Sequence, residues 1–394
     1  MEIITQNEER AGLRRILSGR IIFVLVVLLV FAGIEILRER RPTFLRSGVR
    51  LNAYIGNIDD GTVTVVDLVR LAPAATVPVG PDPSGIRANP KRNEIWGVSS
   101  SGGYVWVLDV RTLQVTRISA GRSPFAIDFS ADGTRAYVAA SGSDAIVAID
   151  TQTHSVVARG RAGRRPWIAR VTPDGKDLLV SNRDDSTVSL LDASTLVSRA
   201  VIPTGPDPEQ VAILPDGSKA FVSSGSRPQV SVIDLRHDVL QANLSLGGNP
   251  SDLILKPDGG ELYIPCPETH GLVVVDTSTN EVGDYVLLGL RPTSATFSVL
   301  PGILYVSDSE ASHIVPIAID ARQVAPPISV GQGPGASLIT PGGDMLLVVD
   351  QISDDLAVVR SLASSSTGVS SPPGGLITLI PVGRHPRDLA VKMF

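Results

Sequence analysis

Apolar and polar residues alternate in short runs from about residue 52 to the end of the chain, and the same runs return at a regular interval. The segments TVTVVD at 62–67, YVWVLD at 104–109 and AIVAID at 145–150 are examples that end in Asp. Short alternating runs of β-branched and aromatic residues, separated by turn-forming residues, are typical of β-strands. The pattern therefore predicts an all-β body.

A Gly-x-x-Pro tetrapeptide marks the start of each repeat. It is followed by a first strand, a turn such as TPDG at 172–175, a second strand such as LLVSN at 178–182, the Asp-ending third strand and a fourth strand. Pro and Gly at these turn positions favour a type I turn between antiparallel strands. The repeated glycines are Gly80, Gly121, Gly163, Gly205, Gly247, Gly289, Gly331 and Gly383. Successive glycines are separated by 41, 42, 42, 42, 42, 42 and 52 residues.

Four short antiparallel strands in a repeat of about 42 residues predict one blade of a β-propeller. Seven complete repeats lie between Gly80 and Pro381. Residues 53–79 supply the last three strands of a further blade, and residues 387–394 supply a first strand alone. Joined, these end pieces make an eighth blade that leaves no open edge, so we predict eight blades. Seven blades, with one end piece outside the ring, is the alternative.

The tandem pattern resembles the YVTN-type β-propeller repeat family of bacterial and archaeal envelope proteins. The likeness rests on the joint use of the Gly-x-x-Pro loop, the Pro-Asp-Gly turn and the Val-x-Val-x-Asp strand over roughly residues 52–394. No blade contains the string Tyr-Val-Thr-Asn itself, although YIGN at 54–57 and YVSD at 305–308 come near it. The resemblance implies an envelope propeller, and some similar propellers are lactonases or hold a quinone or haem cofactor in the channel.

The apolar segment IIFVLVVLLVFAGIEIL at 21–37 predicts a membrane-spanning helix. Residues 1–20 are then a cytoplasmic segment, residues 38–51 a basic stalk and residues 52–394 the propeller. Arginines flank the apolar run on both sides and give no orientation, but the large domain that follows favours a cytoplasmic N-terminus. A signal peptide cleaved near Ala32 is the alternative. Either way the propeller is predicted to be exported, and a retained anchor would hold it on the outer face of the cytoplasmic membrane.

Charge and cysteine content narrow the range of partners. The net charge is −5, and residues 1–50 carry nine Arg and five Glu, so the rest of the chain carries −9. An acidic body repels phosphate backbones, so nucleic acid is not a predicted partner. Cys266 is the single cysteine, which excludes an intramolecular disulfide and a multi-cysteine metal site. Residues 361–375, SLASSSTGVSSPPGG, lengthen the last repeat and predict an exposed, flexible loop.

Recurring aspartates and scattered histidines are the candidate metal ligands. The aspartates that close the third strands are predicted to cap turns, because Ser or Thr often follows at the next positions. They are Asp67, Asp109, Asp150, Asp192, Asp234 and Asp276. The histidines are His154, His237, His270, His313 and His385, and they fall at different phases of the repeat. We therefore predict no metal site, no cofactor and no catalytic residue; hydrolase-elbow, phosphate-loop, dinucleotide and haem-attachment motifs are also absent from the sequence.

The Gly-x-x-Pro loops carry the candidate binding residues. First strands line the channel of a propeller, so these loops converge around one mouth. The residues proposed to bind there are Arg122, Arg164, Arg165, Trp167, Arg291, Arg384, His385 and Arg387. Arginines grouped around one opening favour an anionic ligand or the carboxylates of a partner. Asp82, Asp207 and Glu209 lie on the same loops, so a mixed-charge rim held by internal ion pairs is the alternative.

These features favour a membrane-anchored, extracytoplasmic module that binds or scaffolds, and whose partner is a protein or a small anionic ligand. A propeller enzyme, either a lactonase-like hydrolase or a cofactor-dependent oxidoreductase, is the alternative. A metal-dependent lactonase would need converging acidic, Asn and His side chains, and a haem enzyme would need an axial ligand such as His. A purely structural spacer is a third hypothesis.

Overall fold

The computed structural model describes residues 50–289, 291–299, 302–361 and 374–394. In these residues 33 strands form eight antiparallel sheets, each of them one blade, so the all-β fold and the count of eight blades are confirmed. No helix within these ranges is long and apolar enough to cross a membrane. The predicted spanning segment at 21–37, the segment 1–20, residues 38–49 of the stalk and residues 362–373 of the predicted loop lie outside the described residues.

Each blade has four strand positions, counted outward from the channel. The first strands are β4 (Pro83–Ala88), β8 (Pro124–Phe129), β12 (Pro166–Val171), β16 (Pro208–Ile213), β20 (Ile254–Leu255), β24 (Pro292–Phe297), β29 (Pro334–Ile339) and β33 (Pro386–Met393). The second strands are β1 (Leu51–Asn57), β5 (Glu94–Ser99), β9 (Arg135–Ala140), β13 (Asp177–Asn182), β17 (Lys219–Ser224), β21 (Glu261–Cys266), β25 (Ile303–Asp308) and β30 (Met345–Asp350). The third strands are β2 (Thr62–Asp67), β6 (Tyr104–Asp109), β10 (Ala145–Asp150), β14 (Thr187–Asp192), β18 (Gln229–Asp234), β22 (Gly271–Asp276), β26 (His313–Ala318) and β31 (Asp355–Arg360). The fourth strands are β3 (Ala72–Pro78), β7 (Val115–Ser119), β11 (Ser155–Arg161), β15 (Ser198–Pro203), β19 (Val239–Ser245), β23 (Glu281–Leu287), β27 (Gln323–Val324) with β28 (Ile328–Ser329), and β32 (Gly375–Pro381).

The apolar core lies between blades. Second and third strands are buried on both faces, because each blade packs between two neighbours; all six residues of β5 are buried. Trp96 and Val98 of β5, for example, pack against Val138 and Val147 of the following blade. Fourth strands face outward and alternate, so every second residue of β11 is exposed. Consecutive blades thus stabilise one another through a ring of interfaces.

The ring closes by pairing the two ends of the described chain. β33 joins β1, β2 and β3 in one sheet, with the register Tyr54↔Ala390. The N–H of Arg50 donates to the carbonyl of Phe394 over 2.9 Å, and the N–H of Phe394 donates back over 3.0 Å. The C-terminal strand therefore completes the N-terminal blade, as the two end pieces of the sequence predict.

The turns use the residues that the repeat supplies. In TPDG at 172–175, the N–H of Gly175 donates to the carbonyl of Thr172 over 2.8 Å, and Gly175 has φ +74°, a conformation that strains other residues. At the end of the third strands the aspartates cap as predicted. The Oδ1 of Asp150, for example, accepts the N–H groups of Gln152 and Thr153 at 2.9 and 2.8 Å.

Two blades depart from the regular pattern. β20 has only two paired residues, and the fourth strand of the seventh blade is divided into β27 and β28. Pro326 and Pro327 lie between these two pieces and have no N–H to donate to β26.

Candidate functional site

The Gly-x-x-Pro loops and the loops between second and third strands lie at one end of the propeller, because neighbouring strands are antiparallel. We call this end the mouth. The third residue of several Gly-x-x-Pro loops has a left-handed backbone, with φ +54° at Arg165 and +51° at His385. The same conformation occurs at Asp82, Ser123 and Asp207. It turns the chain sharply into the proline that begins the first strand.

Two of the predicted arginines are tied to carboxylates of the neighbouring loops. Asp185 accepts the backbone N–H of Arg164 at 2.6 Å and its Nε–H at 2.5 Å. Asp60 accepts the backbone N–H of Arg384 at 2.8 Å and its Nε–H at 2.7 Å. These hydrogen bonds hold the pKa of each carboxyl below its usual range. Both guanidinium groups therefore fix the loops as well as carrying charge.

Three other predicted residues come together in one pocket. Arg165, Trp167 and Arg387 line a space of about 650 Å³ at the mouth, which we call the mouth pocket. Its remaining walls are Ile58, Asp82, Ser84, Ser100, Ser123, Phe125, Ser141, Gly142, Asp144 and Asp184. Arg387 forms no ion pair with any described residue, whereas Nη1 of Arg165 lies 3.5 Å from Asp184. The pocket thus joins aromatic, hydroxyl and charged groups.

The indole of Trp167 contacts an aromatic ring and a guanidinium group. The ring of Phe125, from the preceding blade, stacks on it with a centroid distance of 3.3 Å and an angle of 22°. The guanidinium carbon of Arg183, from the same blade as Trp167, lies 4.3 Å from the centroid of the indole. An arginine over an indole is a favourable cation–π contact. Phe125 and Arg183 are absent from the sequence-based site, although Phe125 occupies the same repeat position as Trp167.

Arg183 is in turn held by carboxylates of the next blade. Its Nε–H and Nη2–H donate to Asp207 at 2.5 and 2.7 Å, and Nη2 lies 2.8 Å from Glu209. The hydrogen bond to Asp207 raises the pKa of Arg183, and burial raises the pKa of Glu209. The row Phe125–Trp167–Arg183–Glu209 is therefore a fixed wall along one side of the mouth.

The other predicted residues lie outside the mouth pocket. Arg122 forms no ion pair with another described residue, and Nδ1 of His385 is 3.5 Å from Asp59. Arg291, likewise without an ion pair to a described residue, lines a second space. This space, which we call the channel cavity, has a volume of about 1000 Å³.

The channel cavity passes from the mouth into the channel. Arg291 and Glu310 lie on mouth loops, while Arg87, Asp252 and Asp388 come from the first-strand segments that line the channel. The sequence-based site missed these three channel residues. A signal was available, since positions two and four residues after the loop proline carry charge in some blades and small or apolar residues in others.

Burial changes the acidity of the channel groups. It raises the pKa of Asp252 to about 6, although the N–H of Leu253 and the charge of Arg170 act against the rise. It also lowers the pKa of Arg170, with Asp128 acting against the change. An arginine nevertheless stays protonated at neutral pH. The pKa of Asp252 therefore lies closer to neutrality than that of an exposed aspartate.

Within the described ranges, no group of three or more His, Cys, Asp or Glu side chains is arranged to hold a metal ion. Three of the five histidines, His154, His237 and His385, each lie beside a carboxylate. Nε2 of His154 lies 3.2 Å from Glu94, and Nδ1 of His237 lies 2.8 Å from Asp234. Cys266 is fully buried, and burial raises the pKa of its thiol to about 12.

Comparison with known proteins identifies the fold. No protein-family model matches the chain, and no curated protein sequence matches it. Among solved structures, dihydro-heme d1 dehydrogenase NirN in complex with DHE aligns with a TM-score of 0.72 and 18% identity, over 86% of this chain and 74% of that one. Hydrazine synthase of Kuenenia stuttgartiensis aligns with a TM-score of 0.56 and 19% identity, over 71% of this chain and 95% of that one. At these identities the similarity establishes the propeller fold alone.

Proposed function

We propose that this protein is a membrane-tethered, extracytoplasmic propeller, of the YVTN repeat type, that binds an acidic ligand or an acidic partner surface at its mouth. The observation that carries the proposal is the mouth pocket. It brings Arg165 and Trp167, at the start of the fourth blade, together with Arg387 of the first blade in one space of about 650 Å³, a size that suits a small molecule.

The lining of the mouth pocket limits what binds there. Arg387 forms no ion pair with a described residue, so its guanidinium is available to a carboxylate or phosphate. Asp82, Asp144 and Asp184 share the lining and favour hydrogen-bond donors elsewhere on the same ligand. Four serines add neutral donors and acceptors: Ser84, Ser100, Ser123 and Ser141. We therefore expect a ligand with one acidic group and several polar groups rather than a simple polyanion.

The mouth pocket is tested by screening anions against the full chain purified in a mild detergent. We expect small carboxylates and phosphates to raise the melting temperature, and Arg165→Ala or Arg387→Ala to reduce that rise strongly. Arg227→Ala is the matched control, because Arg227 is an exposed arginine on a mouth loop and lines neither space. A ligand-induced shift that persists in both pocket variants, or falls equally in the control, would contradict binding in the mouth pocket.

Tethering and export rest on the apolar segment 21–37. Alkaline phosphatase and a cytoplasmic fluorescent protein, each fused after Phe394, report the side of the membrane. Phosphatase activity with a dark fluorescent fusion, both in the membrane fraction, is the expected result. A soluble exported product would instead support a cleaved signal peptide, and a fluorescent fusion would refute export.

A propeller enzyme is the second candidate, since the similar chain NirN is described as a dehydrogenase in complex with DHE. Native mass spectrometry of the purified protein separates the two candidates. A stoichiometric metal or cofactor carried through purification would make the channel an active site. A mass equal to that of the polypeptide supports the binding module.

A further inference from the structure

Five charged side chains form a belt inside the channel, below the mouth. Arg87, Asp128 and Arg170 lie at the same position of three consecutive first strands, four residues after the loop proline. Asp252 and Asp388 lie two residues after theirs, in the sixth and first blades. Equivalent positions in the other blades carry side chains such as Ala212, Ala336 and Ser294, which leave room around the belt.

The three carboxylates of the belt accept hydrogen bonds from backbone N–H groups of the blades. Asp388 accepts the N–H of Leu389 at 2.9 Å and the N–H of Ile86, in the next blade, at 2.8 Å. Asp128 repeats this arrangement with Phe129 and Val171. Asp252 does so with Leu253 and Ala295. Each aspartate thus bridges two neighbouring blades through backbone groups.

The two guanidinium groups of the belt do not bridge neighbouring blades through backbone groups. The guanidinium of Arg170 forms no hydrogen bond or ion pair with any described residue, although it lies deep enough for burial to lower its pKa. Arg87 donates to the carbonyl of Ile86 at 2.9 Å, and its Nη1 is 3.8 Å from Asp388, beyond hydrogen-bond distance. A guanidinium has five N–H donors, so most donors of both side chains lack an acceptor among the described residues.

We propose that Arg87 and Arg170 bind an oxyanion, the carboxylate or phosphate group of a small molecule that enters the channel cavity from the mouth. The inference rests on the proposed binding function and adds a second, deeper site to it. The channel cavity reaches Arg87 from Arg291, so a ligand passes a positive side chain at the mouth before it meets the belt. Charged N–H donors in a partly buried channel attract an anion more strongly than the same donors in open water, because the surrounding dielectric constant is lower.

Asp252 makes this binding depend on pH. The charged groups that act on it are Arg170 and Arg87, and its pKa is about 6. Above pH 6 its carboxylate adds to the negative charge of Asp128 and Asp388 and repels an entering anion. Below pH 6 it is protonated, the net charge of the belt rises by one, and the anion binds more tightly.

The test uses the full chain in detergent and titrates sulfate and oxalate, two oxyanions whose own charge hardly changes between pH 5.5 and 7.5, at these two pH values by calorimetry, with chloride at matched ionic strength. We expect both probes to bind more tightly at pH 5.5. Arg87→Gln or Arg170→Gln should weaken binding at least tenfold, and Asp252→Asn should give tight binding at both pH values. Arg227→Gln, on an exposed mouth loop, is the control and should change nothing.

Three results would overturn the inference. Binding that survives Arg87→Gln and Arg170→Gln but is lost in Arg165→Ala and Arg387→Ala would leave only the mouth pocket, and the proposed function would stand. Absence of anion binding by the unmodified protein would remove both sites. If Arg170→Gln does not fold, Arg170→Lys replaces it; unchanged affinity in both this variant and Arg87→Gln would equally contradict the inference, because an ammonium does not reproduce the geometry of a guanidinium.

Discussion

Two buried carboxyl groups face each other in the eighth blade, at a position where other blades use an amide and a hydroxyl. Asp350 ends β30 and pairs in register with Asp355 at the start of β31. In the fourth blade the same positions are Asn182 and Thr187, and the Nδ2 of Asn182 donates to the hydroxyl of Thr187 over 3.1 Å. Burial and the neighbouring carboxyl raise the pKa of Asp350 well above its usual range. The acid pair therefore holds a proton that an exposed aspartate would release.

Asp350→Asn should stabilise the protein in a pH-dependent way. Unfolded Asp350 releases its proton near pH 4, whereas the folded side chain keeps it to much higher pH. The free energy of unfolding therefore falls as pH rises above 4, and an amide at this position abolishes the loss while still accepting the N–H of Gly331. Thermal unfolding at pH 5 and pH 8 should show a gain on the order of 1 kcal/mol that is larger at pH 8.

Asp320→Asn, at an exposed aspartate, is the control for this measurement. Equal effects of Asp350→Asn at both pH values, or a net destabilisation at pH 8, would show that the pair does not share a proton.

At the scale of elements, the turn between the third and fourth strands is fixed by one carboxylate. The Oδ1 of Asp192 accepts the N–H groups of Ser194 and Thr195 at 3.0 and 2.8 Å and their hydroxyls at 2.6 and 2.8 Å. The Ser194 and Thr195 hydroxyls lower the pKa of Asp192 to about 2. The charged form of the side chain is therefore the one that stabilises the turn.

Asp192→Asn should weaken this turn at pH values above the pKa of the Asp192 carboxyl, and it should have no effect below that pKa. The stabilisation is present above the unfolded pKa, near 4, and is lost as pH falls towards 2. We expect a lower melting temperature for the variant at pH 7 and a difference that disappears as pH approaches 2. Asp320→Asn should match the unmodified protein throughout, and an Asp192→Asn deficit that persists at pH 2 would count against the charged cap.

The repeat predicts the elements well because each strand position is set by local sequence. Gly-x-x-Pro, Pro-Asp-Gly and the terminal Asp mark where most of the described strands begin and end, whereas the Pro326–Pro327 interruption and the short β20 depart from the pattern. The candidate site is harder to predict, because availability of an arginine depends on distant residues. Arg164 and Arg384 have the same loop position as Arg122, yet Asp185 and Asp60 bind them, and Asp60 is more than 300 residues from Arg384 in sequence.

At the scale of the whole molecule, the channel is asymmetric. The wall built from Phe125, Trp167 and Arg183 occupies the third and fourth blades, whereas residues such as Ser294, Gly335 and Ala336 line the channel cavity on the seventh and eighth blades. Eight similar blades therefore produce a mouth with a bulky side and an open side. This asymmetry follows from different side chains at equivalent repeat positions, such as Phe125 and Trp167 on one side and Thr293 and Gly335 on the other.

Ring closure by β33 is expected to be required for a stable molecule. Residues 386–394 carry β33, whose Leu389 and Ala390 are buried, and their removal would open the first blade at its channel edge. A chain that ends at His385 should lose cooperative unfolding and aggregate.

The informative control is a circular permutant. In this permutant, a copy of the Pro-Asp-Gly-Lys loop joins Phe394 to Arg50. The chain is opened within the original loop, which lies between Thr172 and Asp177. The N–H of Phe394 donates to the carbonyl of Arg50, as the N–H of Thr172 donates to the carbonyl of Asp177, so the loop joins strand ends that are paired in the same way. The closing strand of the permutant is β12. Calorimetry should give this permutant a melting temperature close to that of the parent. A stable truncated chain, or a permutant as unstable as the truncation, would show that blade packing rather than strand exchange holds the ring together.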